Sequence, residues 1–109
     1  MGKKRRKRKL SLQALRILYF LFQNPSKEIC GADMIKELDI ASGSLYPILL
    51  RLEGQEFVES DWETVDPSEV KRPRRRLYKI TSIGIKAAQE AVAEFNTATE
   101  QLKPAYEGG

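Results

Sequence analysis

Apolar side chains recur at helical spacing from Leu12 to Phe22, with Leu12, Leu15, Leu18, Tyr19 and Phe22 along one line. Ser11 stands where an N-cap oxygen is needed and Asn24-Pro25 supplies a stop, so the pattern predicts a first helix here. Ile17, Phe20 and Leu21 fill much of the remaining surface, which predicts a helix covered on two sides. After a turn over residues 24–27, a second helix is expected from about Gly31 to Leu38, with Met34, Ile35 and Leu38 inward. Asp39 to Ser42 is a tight connection in which Ile40 should plug the gap between helices. A third helix is expected to start near Ser42, capped by that residue, with an apolar seam of Leu45, Ile48, Leu49 and Leu52. Pro47 leaves the Gly43 carbonyl without its usual donor, so the first turn should be tight or irregular while the helix continues.

The period then changes. Phe57 to Glu63 and Arg74 to Ile80 read as two strands, with Val58 and Trp62 on one face of the first. The connection from Thr64 to Pro73 is long for a hairpin and holds Asp66-Pro67, so it should project and be mobile. A final helix is expected from Thr81 or Ser82 to about Lys103. Ala87, Ala91, Phe95, Ala98 and Leu102 form its stripe, flanked by Ala88 and Val92. Two short helices around a tight turn, followed by a hairpin, give a mainly α fold with a small β part (α+β). That is a winged helix-turn-helix with a two-stranded wing and a long C-terminal dimerisation helix. The expected division is a disordered basic arm at 1–10, a DNA-binding domain at 11–80, the dimerisation helix at 81–103 and a flexible tail at 104–109.

Charge sharpens this picture. The net charge is only +4, but 13 of the 19 basic residues sit in two blocks. Lys3, Lys4, Arg5, Arg6, Lys7, Arg8 and Lys9 form one; Lys71, Arg72, Arg74, Arg75, Arg76 and Lys79 form the other. Residues 28–70 carry eleven acidic side chains against Lys36 and Arg51. Fields of opposite sign on one small body suit steering toward a polyanion.

Catalysis begins at a disadvantage. There is no histidine, and the single Cys30 allows neither an internal disulfide nor a metal-ligand spacing. No nucleophile–base pair or phosphate loop can be assembled, so no enzyme activity, metal or cofactor is expected. Cys30 reads as a small buried apolar residue and Trp62 as a packing residue. No apolar run approaches a membrane span and no signal peptide is present, so a cytoplasmic, nucleoid-associated location without membrane contact is expected.

The candidate DNA contacts follow from the elements. Ser42, Ser44 and Tyr46 lie at the N-terminal edge of the third helix, and Arg51 shares its outward face; hydroxyls and helix-end amides suit phosphate oxygens, and arginine can read guanine. In the hairpin, Glu59 or Asp61 could lie across from Arg75 or Arg76 and neutralise them, which favours Lys71, Arg72 and Arg74 as phosphate contacts, with Arg75 beside them. The arm residues Lys3 to Lys9 could follow the minor groove or the phosphates. The final helix has an apolar face to spare, and the first helix is its natural partner across a two-fold axis. The expected seam is Leu15, Tyr19, Phe22, Ala88, Ala91, Val92, Phe95, Ala98 and Leu102.

The runs SGSLYPILLRLE, then FVES-D-W, then PRRRLYKITSIG resemble the PadR family of bacterial and archaeal winged-helix transcription regulators. The resemblance covers about residues 12–103 and points to the compact subgroup with one C-terminal helix. It implies a homodimeric, repressor-type regulator of inverted repeats near promoters. It also implies a small, often aromatic, effector at the dimer interface in some members. By position, Ser44, Tyr46 and Arg51 fall in the DNA-facing helix and Arg74 to Tyr78 in the second wing strand. Three departures stand out: Leu50 replaces a commonly basic or polar residue, Glu56 replaces a helix-ending glycine, and the basic arm is unusual.

The expectation is therefore a sequence-specific regulator of double-stranded DNA. Two alternatives stand beside it. One is an architectural nucleic-acid protein dominated by the arm; the other is an adaptor that uses the first and last helices to hold a protein partner.

Overall fold

The computed structural model describes residues 10–101. The elements run α1 (Leu12–Gln23), β1 (Ile29–Cys30), α2 (Gly31–Leu38), α3 (Ser42–Gly54), β2 (Val58–Trp62), α4 (Pro67–Val70), β3 (Arg76–Ile80) and α5 (Ser82–Gln101). The arm residues Lys3 to Lys9, the expected end of the last helix with Leu102, and the tail lie outside the described residues.

Helix boundaries follow local chemistry. The Ala14 N–H donates to Ser11 Oγ at 3.1 Å, so Ser11 caps α1 as its position predicts. At the other end the Asn24 N–H donates to the Leu21 carbonyl. Asp39 closes α2 with φ 55°, and Ile40 behind it is only 2% exposed, filling the space between α2 and α3. Helix α3 carries Pro47 without interruption. Its first turn is tight, since both Ser44 and Leu45 donate to the Ala41 carbonyl at 2.9 Å. Here the cap expectation needs correction: Ala41 is the N-cap and Ser42 the first helical residue, so the Ser42 hydroxyl is not consumed by capping.

Glu56 resolves the missing glycine. Helix α3 ends at Gly54, and Glu56 takes the left-handed conformation with φ 66°. Its N–H reaches the Glu53 carbonyl at 2.9 Å, and the Phe57 N–H reaches Leu52 at 3.0 Å. This is the double hydrogen bond of a Schellman ending, built on a side-chain-bearing residue at a cost of about 1 kcal/mol.

The sheet has three antiparallel strands in the order β1-β3-β2, one more than the hairpin alone predicts. Ile29 pairs with Tyr78 and Cys30 with Leu77. On the other side Val58 pairs with Ile80, Ser60 with Tyr78 and Trp62 with Arg76. The core gathers Ile17, Leu18 and Leu21 of α1, Met34 of α2, Leu45, Leu49 and Leu52 of α3, and Val58 of β2, all essentially inaccessible. Cys30 is buried, as expected. Burial of these side chains supplies most of the drive to fold, at about 25 cal/mol per Å² of apolar surface.

Helix α5 returns across α1 of the same chain. Its entry is anchored at Thr81, whose hydroxyl donates to the Glu56 carbonyl at 2.6 Å and accepts from the Gly84 N–H at 3.0 Å. Gly84 is there for closeness: a β-carbon on it would meet the Phe57 carbonyl oxygen at 2.0 Å. The pairing of first and last helices expected between two chains is thus already made within one. Ala88, expected at the seam, is 1% exposed and belongs to this internal core.

Candidate nucleic-acid interface

Helix α3 has two distinct sides because its apolar positions fall at spacings of four and three. Leu45, Leu49 and Leu52 pin it to the core, with Ile48 half-buried beside them. Opposite them, Ser42, Gly43, Ser44, Tyr46, Pro47, Leu50 and Arg51 are all exposed. The structure therefore leaves Ser42, Ser44, Tyr46 and Arg51 exposed, spread around the part of α3 that the core does not cover. With Ala41 offering no side-chain cap, the amides of Ser42 and Gly43 have no capping partner, while that of Ser44 is taken by the Ala41 carbonyl.

Tyr46 is the bridge to the next element. Its phenol sits so close to Gly31 that a β-carbon there would lie 2.5 Å from the hydroxyl oxygen. Gly31 begins α2, whose N-cap Cys30 makes no capping bond, so a second helix N-terminus is open beside the first. Cys30, Gly31, Ala32, Tyr46, Arg75 and Arg76 line a cleft of about 130 Å³. Arg75 and the helix N-termini around this small cleft favour an anion, opposed by the Asp33 carboxylate in the first turn of α2; the Arg76 guanidinium is turned to Ser60, Glu53 and Trp62. Sequence reading identifies Tyr46 and Arg75 but misses Gly31 and Arg76. The small residue at the start of α2 is the available signal; the neighbourhood of Arg76 depends on strand register.

The wing spends much of its charge internally. Arg72 donates to both carboxylate oxygens of Glu63, at 2.7 and 3.1 Å, and the Arg75 backbone N–H donates to the same carboxylate at 3.0 Å. The hydrogen bond from Arg72, then that from the Arg75 N–H, brings the Glu63 carboxyl down from its ordinary 4.5 to about 2. Arg74 Nε donates to the Val65 carbonyl at 3.0 Å. Arg76 Nε donates to Ser60 Oγ at 3.0 Å, and Ser60 Oγ in turn donates to Glu53 at 2.8 Å. A looser ion pair of 3.9 Å joins Arg76 to Glu53. The Arg76 guanidinium also lies over the Trp62 ring, 4.9 Å from its centre.

These contacts differ from the expected cross-strand pairs. Glu59 lies across from Lys79 and Asp61 across from Leu77, so neither neutralises Arg75 or Arg76. The long connection is also not featureless. Asp66 caps the short helix α4 by accepting from the Ser68 N–H, and Lys71 ends it in a left-handed conformation, exposed. Trp62, expected to pack, is 54% exposed; it shares the face of Val58 but lies beyond the edge of the core.

The expected seam residues divide. Leu15, Phe22, Ala91 and Val92 are half-buried, while Tyr19 at 45%, Phe95 at 65% and Ala98 are exposed. Tyr19, Phe22, Ala88, Gln89, Val92, Ala93 and Asn96 line an apolar groove of about 260 Å³ between α1 and α5. Among the described residues no cluster of acidic or cysteine side chains could hold a metal ion, and no helix is long and apolar enough to cross a membrane.

The transcriptional regulator PadR-like family model matches residues 17–90, the span holding α2, α3 and the wing. No curated protein matches the sequence. Solved structures share the fold. A transcriptional regulator homologue from Pyrococcus horikoshii superposes with a TM-score of 0.70 at 22% identity, covering 84% of each chain. A PadR-like regulator from Bacillus cereus gives 0.66 at 22% identity, over 84% of this chain and 87% of that one. A MepR variant from S. aureus, solved bound to an oligodeoxyribonucleotide, gives 0.68 at 16% identity, over 91% of this chain and 67% of that one. The family match covers most of the chain, its members are transcriptional regulators and not enzymes, and this chain belongs to the PadR-like family.

Proposed function

We propose that the protein is a homodimeric repressor that binds an inverted repeat near a promoter. The observation that carries the reading is the exposed edge of α3, with its open amides, lying against the cleft formed by the start of α2, Tyr46, Arg75 and Arg76. An α-helix presented this way fits the major groove, with the cleft placed for a backbone phosphate. Ser42, Ser44, Tyr46 and Arg51 then face the groove, while Lys71, Arg75 and the arm Lys3 to Lys9 serve the phosphates; Arg72 and Arg74, expected beside them, are held by Glu63 and the Val65 carbonyl and shape the wing instead. The oligonucleotide bound by the MepR variant supports a DNA partner for this shared fold.

Residues 11–80 act as the DNA-binding unit and 81–103 as the dimerisation element, working in the cytoplasm at the nucleoid. Support for the dimer comes from the far half of α5. Ala91, Phe95 and Ala98 carry the α5 stripe past the buried Ala88, and along them the chain supplies progressively less cover. A second copy would bury Phe95 and close the groove at Tyr19 and Phe22, leaving a space in which a small aromatic effector could act to release DNA.

Selection from a random duplex library at near-physiological salt tests the reading, because phosphate-only binding is suppressed there. Recovery of an inverted repeat with half-sites about 10 base pairs apart is the expected result. Recovery of no motif would overturn it in favour of an architectural protein. Phe95→Asp should give a monomer by light scattering and weaken binding to the selected duplex; a variant that stays dimeric would remove Phe95 from the seam.

A further inference from the structure

The outward line of α3 is apolar where a groove-reading helix would be expected to carry hydrogen-bonding groups. Gly43, Pro47, Leu50 and Gly54 follow one another at helical spacings of four, three and four, and all are exposed. Leu50 is 72% exposed, at the centre of the line and one residue before Arg51. Added β-carbons at Gly43 and Gly54 would meet nothing within 4 Å beyond the neighbouring backbone of α3 itself, so packing against the rest of the chain requires glycine at neither place. The helix thus offers a low, smooth apolar ridge flanked by Ser44, Tyr46 and Arg51.

We propose that Leu50 reads thymine through its 5-methyl group in the major groove, with Pro47 extending the apolar contact. The inference rests on the reading of α3 as the DNA-facing helix. Leucine can neither donate nor accept a hydrogen bond. Pressed against guanine O6 and N7, or against the cytosine amino group, it would strip water from those groups and return nothing. The thymine methyl is the one group on the major-groove edges that gains from such a neighbour. The absence of β-carbons at Gly43 and Gly54 lets the ridge approach the base edges closely. Leu50 therefore selects T·A over G·C at its position in each half-site, and Arg51 beside it contributes the polar contact.

The test uses the full-length protein and the duplex recovered by site selection, with thymines replaced by uracil one position at a time. Uracil keeps the pairing and loses only the methyl. At the position facing Leu50, wild-type affinity should fall about fourfold for each methyl removed, the value of one buried methyl-sized group. Leu50→Ala, a change at an exposed site that leaves the core untouched, should bind thymine and uracil duplexes equally. Wild-type protein that binds all uracil duplexes as tightly as the parent would overturn the proposal while leaving sequence-specific binding intact. A methyl effect that survives in Leu50→Ala would overturn the assignment to Leu50. Failure of the selection to return any motif would overturn the proposal together with the reading beneath it, so the failures are distinguishable.

Discussion

Helix α3 and the wing are both rich in groups suited to DNA, yet they hold them in opposite ways. The outward side chains of α3 face away from the core that fixes the helix, and Leu45, Leu49 and Leu52 set their direction. The wing arginines are turned back on the protein: Arg72 onto Glu63, Arg74 onto Val65, and Arg76 onto Ser60, Glu53 and Trp62. The comparison teaches that a count of arginines is not a count of available charges. In this molecule the outward side chains of α3 are left free, while much of the wing's charge is held in contacts within the wing and with the end of α3.

Arg51→Ala should break the comparison on the helix side with the largest effect. A loss of about 1–3 kcal/mol, roughly 5- to 150-fold, is expected on the selected duplex, with little change on random duplex at low salt. Tyr46→Ala should act in the same direction with the oligomeric state unchanged; equal affinity for wild type and variant would remove Tyr46 from the interface. Arg76→Ala tests the wing side. It removes the link between β2, β3 and the end of α3, and should cost about 1 kcal/mol of stability, given that these groups are partly exposed. The emission of Trp62, the only tryptophan, should shift as its guanidinium neighbour leaves; unchanged emission would argue against the stacked pair.

Smaller effects sharpen the contrast. Lys71, exposed at the end of α4, should act as a plain phosphate contact. Lys71→Ala is expected to lower the salt slope of binding by about 0.9 without altering the preferred site. Glu63→Gln probes the charge held inside the wing. Because the carboxyl is depressed from 4.5 to about 2 in the folded protein, its contribution is complete above the ordinary carboxylate range. It is lost as pH falls toward 2. Acid titration of stability should therefore show a weaker pH dependence in Glu63→Gln than in wild type between about pH 4.5 and 2. Parallel curves would show that the Arg72–Glu63 pair is not maintained in solution.

Much of this arrangement was legible in the residues alone. Ser11 and Asn24-Pro25 bound α1 and Ile40 plugs the helix turn, because each is dictated by local chemistry; the missing glycine at Glu56 left two endings open for α3, and the structure takes the left-handed one. Asp66-Pro67 also carries a helix-start signal, a capping oxygen followed by proline, within the connection whose length suggests a projecting, mobile loop. What stayed hidden depends on distance along the chain. Strand β1 is two residues long and exists through its pairing with Leu77 and Tyr78, far away in sequence. The partners of Arg72 and Arg76 follow from strand register and from α4 shortening the loop. Period-two alternation places Trp62 on the face of Val58 but does not show where the core beneath that face ends. Likewise, the stripe on α5 does not tell how much of it α1 of the same chain will cover, and Ala88 falls on the covered side.

A hydroxyl-radical footprint of the wild-type protein on its selected duplex tests the central claim most directly. Two protected patches on one face of the DNA, about 10 base pairs apart and lost together in Phe95→Asp, are the predicted result. A single patch, or even protection along the whole duplex, would contradict a two-fold reader that works through paired α3 helices.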